Sequence, residues 1–249
     1  MKNYFKITVL FLGLLFSTSA CHDITTDNVT SVTYYVTFEL EGGEEYLLPV
    51  GEPYIEPGAK AFENGVDVSS KMVVDGSVNS DEVGFYYITY SAVNVDGFPN
   101  SATRKVIVYD PTVETDISGS YTVNLDESNR YQFSNGAIIK YSDLGGLYGG
   151  DFSNFTVDIK QILPGIFQVS DFYGGYYVAG RNYAKSYLMG GYIALNDDNS
   201  LSLLESLVPG WGDSLDDLVD GSYDPDTNTI EWGAEYAGSY SFNVVLNKN

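Results

Sequence analysis

Apolar residues that recur at every second position constrain this chain more than any other feature. Val32, Tyr34, Val36, Phe38 and Leu40 alternate with Thr33, Tyr35, Thr37 and Glu39. Towards the other end, Tyr240, Phe242, Val244 and Leu246 alternate with Ser239, Ser241, Asn243 and Val245. Successive side chains of a strand point to opposite faces, so a period of two lays one apolar face on a core. Long helical periodicity is hard to find. The exception is 201–218, where Leu204, Leu207, Val208, Leu215 and Leu218 have partial helical spacing and predict a short helix, interrupted at Pro209-Gly210. The 22 Tyr, 13 Phe and 26 Gly supply residues that fill pleated surfaces and residues that turn the chain. An all-β fold follows.

The strand signals fall into two groups. Over 31–110, further strands are expected at 46–50, 71–74, 84–93 and 102–109, with Pro49 placing the first of these at a sheet edge and Asp96-Gly97 forming a hairpin turn. Residues 111–116 form a linker, and the Asp110-Pro111 step holds the chain extended. Over 117–249, strands are expected at 120–125, 136–140, 154–162, 165–170, 174–179, 190–195, 200–204, 228–232 and 238–246. Eight or nine strands with short turns suit an antiparallel β-barrel or a β-sandwich. Gly145-Gly146 and Gly149-Gly150 predict a flexible loop.

The first residues have a different character. Lys2 and Lys6 precede an apolar run over 7–16, then Ser17-Thr18-Ser19-Ala20-Cys21. These are the parts of a secretory signal over 1–20, with an apolar run too short to span a bilayer. Cys21 is the only cysteine, so no disulfide can form within the chain. Small residues directly before Cys21 resemble the lipobox of bacterial lipoproteins. That resemblance implies cleavage before Cys21 and a lipid on its sulfur, with 21–30 as a polar tether.

Two further resemblances cover most of the remainder. The segment from Gly51 through Tyr54, Pro57, Gly58 and Ala59, the Gly84-Phe85-Tyr86-Tyr87-Ile88-Thr89-Tyr90 strand and the final Arg104-Lys105-Val106-Ile107-Val108 strand resemble the bacterial Ig-like domain of the crystal-toxin type. This implies an N-terminal Ig-like β-sandwich, usually a spacer or display module. Joined to the stretch over 163–177, Gly210-Trp211-Gly212-Asp213 and the stretch over 223–232, it is similar to two-domain surface lipoproteins of Bacteroidetes. Such proteins are often associated with SusC/SusD-type importers. The resemblance implies an outer-membrane, cell-surface accessory role in nutrient capture.

Charge and residue usage narrow the chemistry. Removing Lys2 and Lys6 leaves 10 basic residues against 34 acidic ones. Nucleic-acid binding, which needs clustered cations, is not expected. The single histidine, His22, adjoins Cys21, which removes Ser-His-Asp and Cys-His catalysis and zinc sites built on His or Cys. Paired-carboxylate hydrolysis or lyase chemistry remains an alternative, but no local motif raises one acid pair above the rest. Asp224-Pro225-Asp226-Thr227-Asn228 and Asn196-Asp197-Asp198-Asn199 read as turns before they read as calcium loops. No metal, cofactor or catalytic residue is expected.

Recognition is the class left. Phe172, Tyr173, Tyr176, Tyr177, Tyr183, Tyr187 and Tyr192 crowd one glycine-broken stretch. Tyrosine combines a flat apolar face with a polar tip, which suits sugars and peptides. Trp211 stands on a loop between Pro209-Gly210 and Gly212-Asp213, and Arg181 could meet a ligand carboxylate. The expected binding residues are Tyr173, Tyr176, Tyr177, Arg181, Tyr183, Trp211 and Asp213. The expected function is non-enzymatic: a lipid-anchored protein that binds an oligosaccharide or peptide beside an importer. A purely structural subunit of a surface assembly is the other alternative.

Overall fold

The computed structural model describes residues 32–249. Cys21, the signal segment and the tether lie outside the described residues. Strands dominate, in two all-β units.

The N-terminal unit packs two sheets face to face. One joins β1 (Thr37–Leu40), β3 (Ala59–Glu63) and β4 (Val66–Asp67). The other runs β2 (Glu45–Pro49), β7 (Pro99–Tyr109), β6 (Gly84–Val93) and β5 (Val73–Asp75), with β2 parallel to β7. β2 is an edge strand, and Pro49 closes it. On β6, Ile88, Tyr90 and Ala92 share the buried face that their spacing predicts. The alternation from Val32 does not start a strand until Thr37. Side chains of the β6–β7 turn region occupy that backbone instead: Asn94 Nδ2 donates to the Tyr34 carbonyl (2.8 Å) and Asn100 Nδ2 to the Val36 carbonyl (2.7 Å).

One charged residue sits in this core. Arg104 on β7 is fully buried. Its guanidinium donates to the Glu56 carboxylate, to the Tyr90 hydroxyl (2.8 Å) and to the carbonyls of Gly43 (3.1 Å), Gly58 (3.1 Å) and Glu41. Tyr54 and Tyr90 also donate to Glu56. Burial works against the Glu56 charge, but these hydroxyls, the Gly58 amide and the Arg104 charge hold its carboxyl below the usual range.

The C-terminal unit is one antiparallel ten-stranded sheet that curls on itself. Its strands are β8 (Gly119–Val123), β9 (Asn129–Gln132), β10 (Ile138–Lys140), β11 (Val157–Leu163), β12 (Ile166–Val169), β13 (Gly190–Leu195), β14 (Leu201–Leu207), β15 (Asp217–Asp224), β16 (Thr229–Tyr236) and β17 (Tyr240–Lys248). Neighbours run β8-β11-β12-β13-β14 on one side, and β15-β16-β17 returns to β8 on the other. A lone bridge between Ser200 and Ser222 links the β14 and β15 ends, so the circuit closes as a barrel. β17 is long enough to pair twice: Leu246–Lys248 with β8 and Tyr240–Asn243 with β9.

Three local expectations are corrected. Residues 201–218 hold no helix: they contribute β14 and the start of β15, because ladder pairing with β13 and β16 outweighs a partial helical spacing. Residues 174–179 are not a strand but part of a turn-rich segment. The glycine-rich 145–150 region carries α1 (Leu144–Tyr148), ended by Gly149 at φ 70°, a left-handed position that suits glycine.

The segment between β12 and β13 fills the barrel. Phe172, Tyr173, Tyr176 and Met189 are fully buried there. Tyr141 Oη donates to the Tyr173 carbonyl (2.6 Å), and Trp232 Nε1 donates to the Phe172 carbonyl (2.9 Å). Gly174 adopts φ 56° where an added Cβ would lie 2.7 Å from Val244 Cγ1, so only glycine passes.

The two units touch around Lys105 and Glu205. Lys105 Nζ lies 3.6 Å from the Phe85 ring centroid and 3.3 Å from Glu205 Oε2, while Tyr87 Oη donates to Glu205 Oε1 (2.8 Å). Tyr192 packs edge-on against Phe85, with centroids 5.2 Å apart. That places Tyr192 away from the other aromatic residues of its stretch.

Candidate functional site

The barrel plug begins at Asp171, and this residue decides how the aromatic stretch is displayed. Asp171 is 1 % exposed. Its Oδ1 accepts the amides of Tyr173 (3.2 Å) and Met189 (2.9 Å), and its Oδ2 accepts that of Gly175 (2.7 Å). One carboxylate therefore clasps both ends of the 171–189 segment. Burial pushes its carboxyl up to about 6 in spite of those three amides. Both oxygens are engaged by backbone amides, so Asp171 organises the loop.

The clasp turns Tyr173 and Tyr176 inward. Their expected role as ligand-contacting residues is corrected: both are fully buried, and their rings pack on Phe242 at 4.5 and 5.2 Å. A glycine-broken aromatic run looks alike in sequence whether it lines a surface or plugs a barrel. Tyr177 is 7 % exposed and forms the floor between the two settings.

Above that floor the other expected residues come together. Trp211 is 40 % exposed. Its indole meets Tyr177 (4.9 Å), Tyr187 (4.9 Å) and Tyr183 (6.4 Å), and stacks on Tyr236 at 5.9 Å and 22°. The loop that carries it is fixed by a Val208–Asp213 bridge and by the Gly210 amide, which donates to the Ser186 carbonyl (2.6 Å). A Cβ at Gly210 would stand 2.7 Å from the Tyr187 ring, so glycine lets the loop close on that ring. Asp213 accepts from Tyr236 Oη (3.3 Å) and so supports the ring on which Trp211 stacks.

The other flank is cationic. The Arg181 guanidinium lies over Tyr148 (4.8 Å) and Tyr183 (5.4 Å). Arg130 of β9 lies over Tyr240 (4.7 Å) and Tyr176 (5.4 Å). Sequence reasoning missed Arg130, Tyr148, Tyr236 and Tyr240, which come from distant parts of the chain. Strand order alone brings Arg130 opposite Phe242, and no local motif announces that pairing. Burial raises the Tyr176, Tyr177 and Tyr236 phenols, so all three stay protonated at neutral pH.

The acidic loops behave as turns. Asp224 accepts the Asp226 amide (2.9 Å) and the Thr227 hydroxyl (2.7 Å), and Asp198 accepts the Ser200 amide (3.0 Å) and hydroxyl (2.6 Å). Among the described residues, no group of three or more His, Cys, Asp or Glu is gathered as metal ligands are.

Comparison with known proteins gives this arrangement its kinship. A bacterial surface protein Ig-like domain profile matches residues 38–108, and a profile for a C-terminal domain matches residues 110–248, over half of the chain. The lipoprotein BT2262 from Bacteroides thetaiotaomicron, known as a crystal structure, is 39 % identical over 86 % of this chain and 100 % of that one, with a TM-score of 0.46. The chain belongs to the family of that lipoprotein. The sequence identity carries this kinship. The N-terminal unit is accordingly Ig-like, and the family's C-terminal domain is the curled sheet described above. A structure of the M60 catalytic domain with two CBM51 domains from Clostridium perfringens ZmpB is 13 % identical, with a TM-score of 0.27, over 56 % of this chain and 14 % of that one. A structure of CBM51-2 with GlcNAc and INT domains from the same protein is 15 % identical, with a TM-score of 0.27, over 53 % and 31 %. Neither supports any inference about this chain. No match is found among curated proteins.

Proposed function

We propose that this chain is a lipid-anchored surface protein of the outer membrane that binds an oligosaccharide at the aromatic end of its barrel, beside a SusC/SusD-type importer, and that it acts by binding rather than catalysis. The observation that carries the binding reading is Trp211: an indole 40 % exposed, held rigidly among Tyr177, Tyr183, Tyr187 and Tyr236. A large exposed apolar face braced on all sides is disposed for a partner that covers it. Tyrosine rims suit sugars because ring faces meet the apolar C–H faces of a pyranose while hydroxyl tips reach its oxygens. Anchoring is supported by Ser19-Ala20-Cys21 and by a 39 % identical relative that is a lipoprotein. The Ig-like unit then spaces the barrel from the membrane.

Three measurements test the reading. Cys21→Ser is expected to abolish incorporation of labelled palmitate and to move the protein from the membrane to the soluble fraction. Retention in the membrane would refute the anchor. Trp211→Ala is expected to weaken glycan binding at least tenfold, about 1.4 kcal/mol, while thermal unfolding shifts little. Undiminished glycan binding would refute the site. Affinity purification of the wild-type protein from membranes tests the importer: co-purification of a SusC/SusD pair is the expected outcome.

A further inference from the structure

Arg130 and Arg181 are out of place in so acidic a chain. The sequence carries 34 acidic residues against 12 basic ones, so acids far outnumber the cations that could pair with them. Among the described residues the ion pairs are Lys60–Glu41, Arg104–Glu56 and Lys105–Glu205. Neither Arg130 nor Arg181 takes part. Both instead lie over tyrosine rings at the barrel mouth, and the Nε of Arg130 is buried with no hydrogen-bond partner.

The rings form a continuous path between them. Arg130 covers Tyr176, Tyr176 meets Tyr177 at 5.1 Å, Tyr177 meets Tyr183 at 5.4 Å, and Tyr183 lies under Arg181. The Tyr176 hydroxyl is buried and lacks a partner. Burial raises the Tyr176 and Tyr177 phenols, and both guanidiniums act in the opposite direction on each.

We propose, building on the binding reading above, that the ligand is an acidic saccharide whose carboxylate lies between Arg130 and Arg181 while its ring faces pack on Trp211 and Tyr183. A guanidinium offers a planar fork that matches a carboxylate, and aromatic stacking on the opposite side keeps that fork in plane. The surrounding acidic surface repels other anions, so selectivity rests on this one patch. Asp213, held by Tyr236, belongs to the Trp211 flank and leaves the arginine flank uncompensated.

The test is a glycan array carrying neutral, uronate-bearing and sialate-bearing oligosaccharides, probed with the wild-type protein and with Arg130→Gln, Arg181→Gln and Trp211→Ala. Uronate or sialate glycans are expected to dominate. Each Gln variant is expected to lose about tenfold or more of that binding, and Arg130→Lys or Arg181→Lys to recover only part of it. Binding of the acidic glycans is also expected to weaken as salt is raised. Neutral glycans bound in a Trp211-dependent way, or acidic glycans bound equally by the Gln variants, would overturn this inference and leave the binding reading standing. No binding to any glycan would overturn both. Unchanged tryptophan fluorescence from Trp211 and Trp232 would show that each Gln variant is folded.

Discussion

Asp171→Ala is expected to lower the stability of the C-terminal domain by on the order of 4 kcal/mol, a large part of what a domain of this size has. The residue is 1 % exposed and accepts three amides, from Tyr173, Gly175 and Met189. Alanine leaves those donors buried without partners and no water to replace the carboxylate. It also releases the plug, so the Phe172, Tyr173 and Tyr176 rings lose the backbone that positions them. Urea unfolding followed by tryptophan fluorescence reports this domain alone, because Trp211 and Trp232 both belong to it. An unchanged midpoint would refute the clasp.

The same carboxyl gives the domain an unusual acid response. Its folded pKa is raised from 3.8 to about 6, so between those values the folded state holds more protons than the unfolded one. Stability from this group then falls as pH rises from about 4 to about 6 and is constant above. The rise of about two units corresponds to roughly 3 kcal/mol, so the fluorescence midpoint is expected to increase as pH drops from 7 to 4.5. Asp171→Asn removes the titration. It keeps an acceptor for Tyr173 and Met189 but turns a donor towards the Gly175 amide, so it is expected to be less stable and to lose the pH slope.

The contrast between Asp171 and the rest of the chain shows what a sequence can carry. Alternation on β6 and β17 made the strand faces legible, because period two is a local property and each residue adds to it. Turns at Asp96-Gly97 and Asp224-Pro225 were legible for the same reason, since they depend on their own few residues. The stretch after Asp171 was not. Its aromatic residues, glycines and acid fit an exposed rim as well as a plug, and only the closure of β8 through β17 puts an interior beneath them. The exposure of Trp211 was legible because its own glycine-flanked loop exposes it. Arg130 and Tyr240 were invisible because strand neighbours 110 residues apart in sequence leave no mark on either neighbourhood.

Arg104→Ala is expected to unfold the Ig-like unit while leaving the barrel intact. Arg104 is fully buried, and its guanidinium serves the Glu56 carboxylate, the Tyr90 hydroxyl and the carbonyls of Glu41, Gly43 and Gly58. Removing one partner of a buried pair strands the other, at a cost of roughly 3–5 kcal/mol. Arg104→Lys keeps the charge but offers one point where a planar fork met several acceptors, so it recovers only part of the loss. Glu56, whose carboxyl is held below its usual range, adds stability above the unfolded value of about 4.5 and loses it as pH falls through the folded value. The Ig-like unit is thus expected to weaken only below about pH 4.5, under most of the range in which the barrel strengthens. The units meet through Lys105 and Glu205, whose side chains are 26 % and 44 % exposed, a contact too open to fuse two transitions into one. Far-UV circular dichroism of Arg104→Ala is therefore expected to show an early transition that tryptophan fluorescence does not follow. A fluorescence midpoint that moves together with the early transition would mean that the two domains unfold as one.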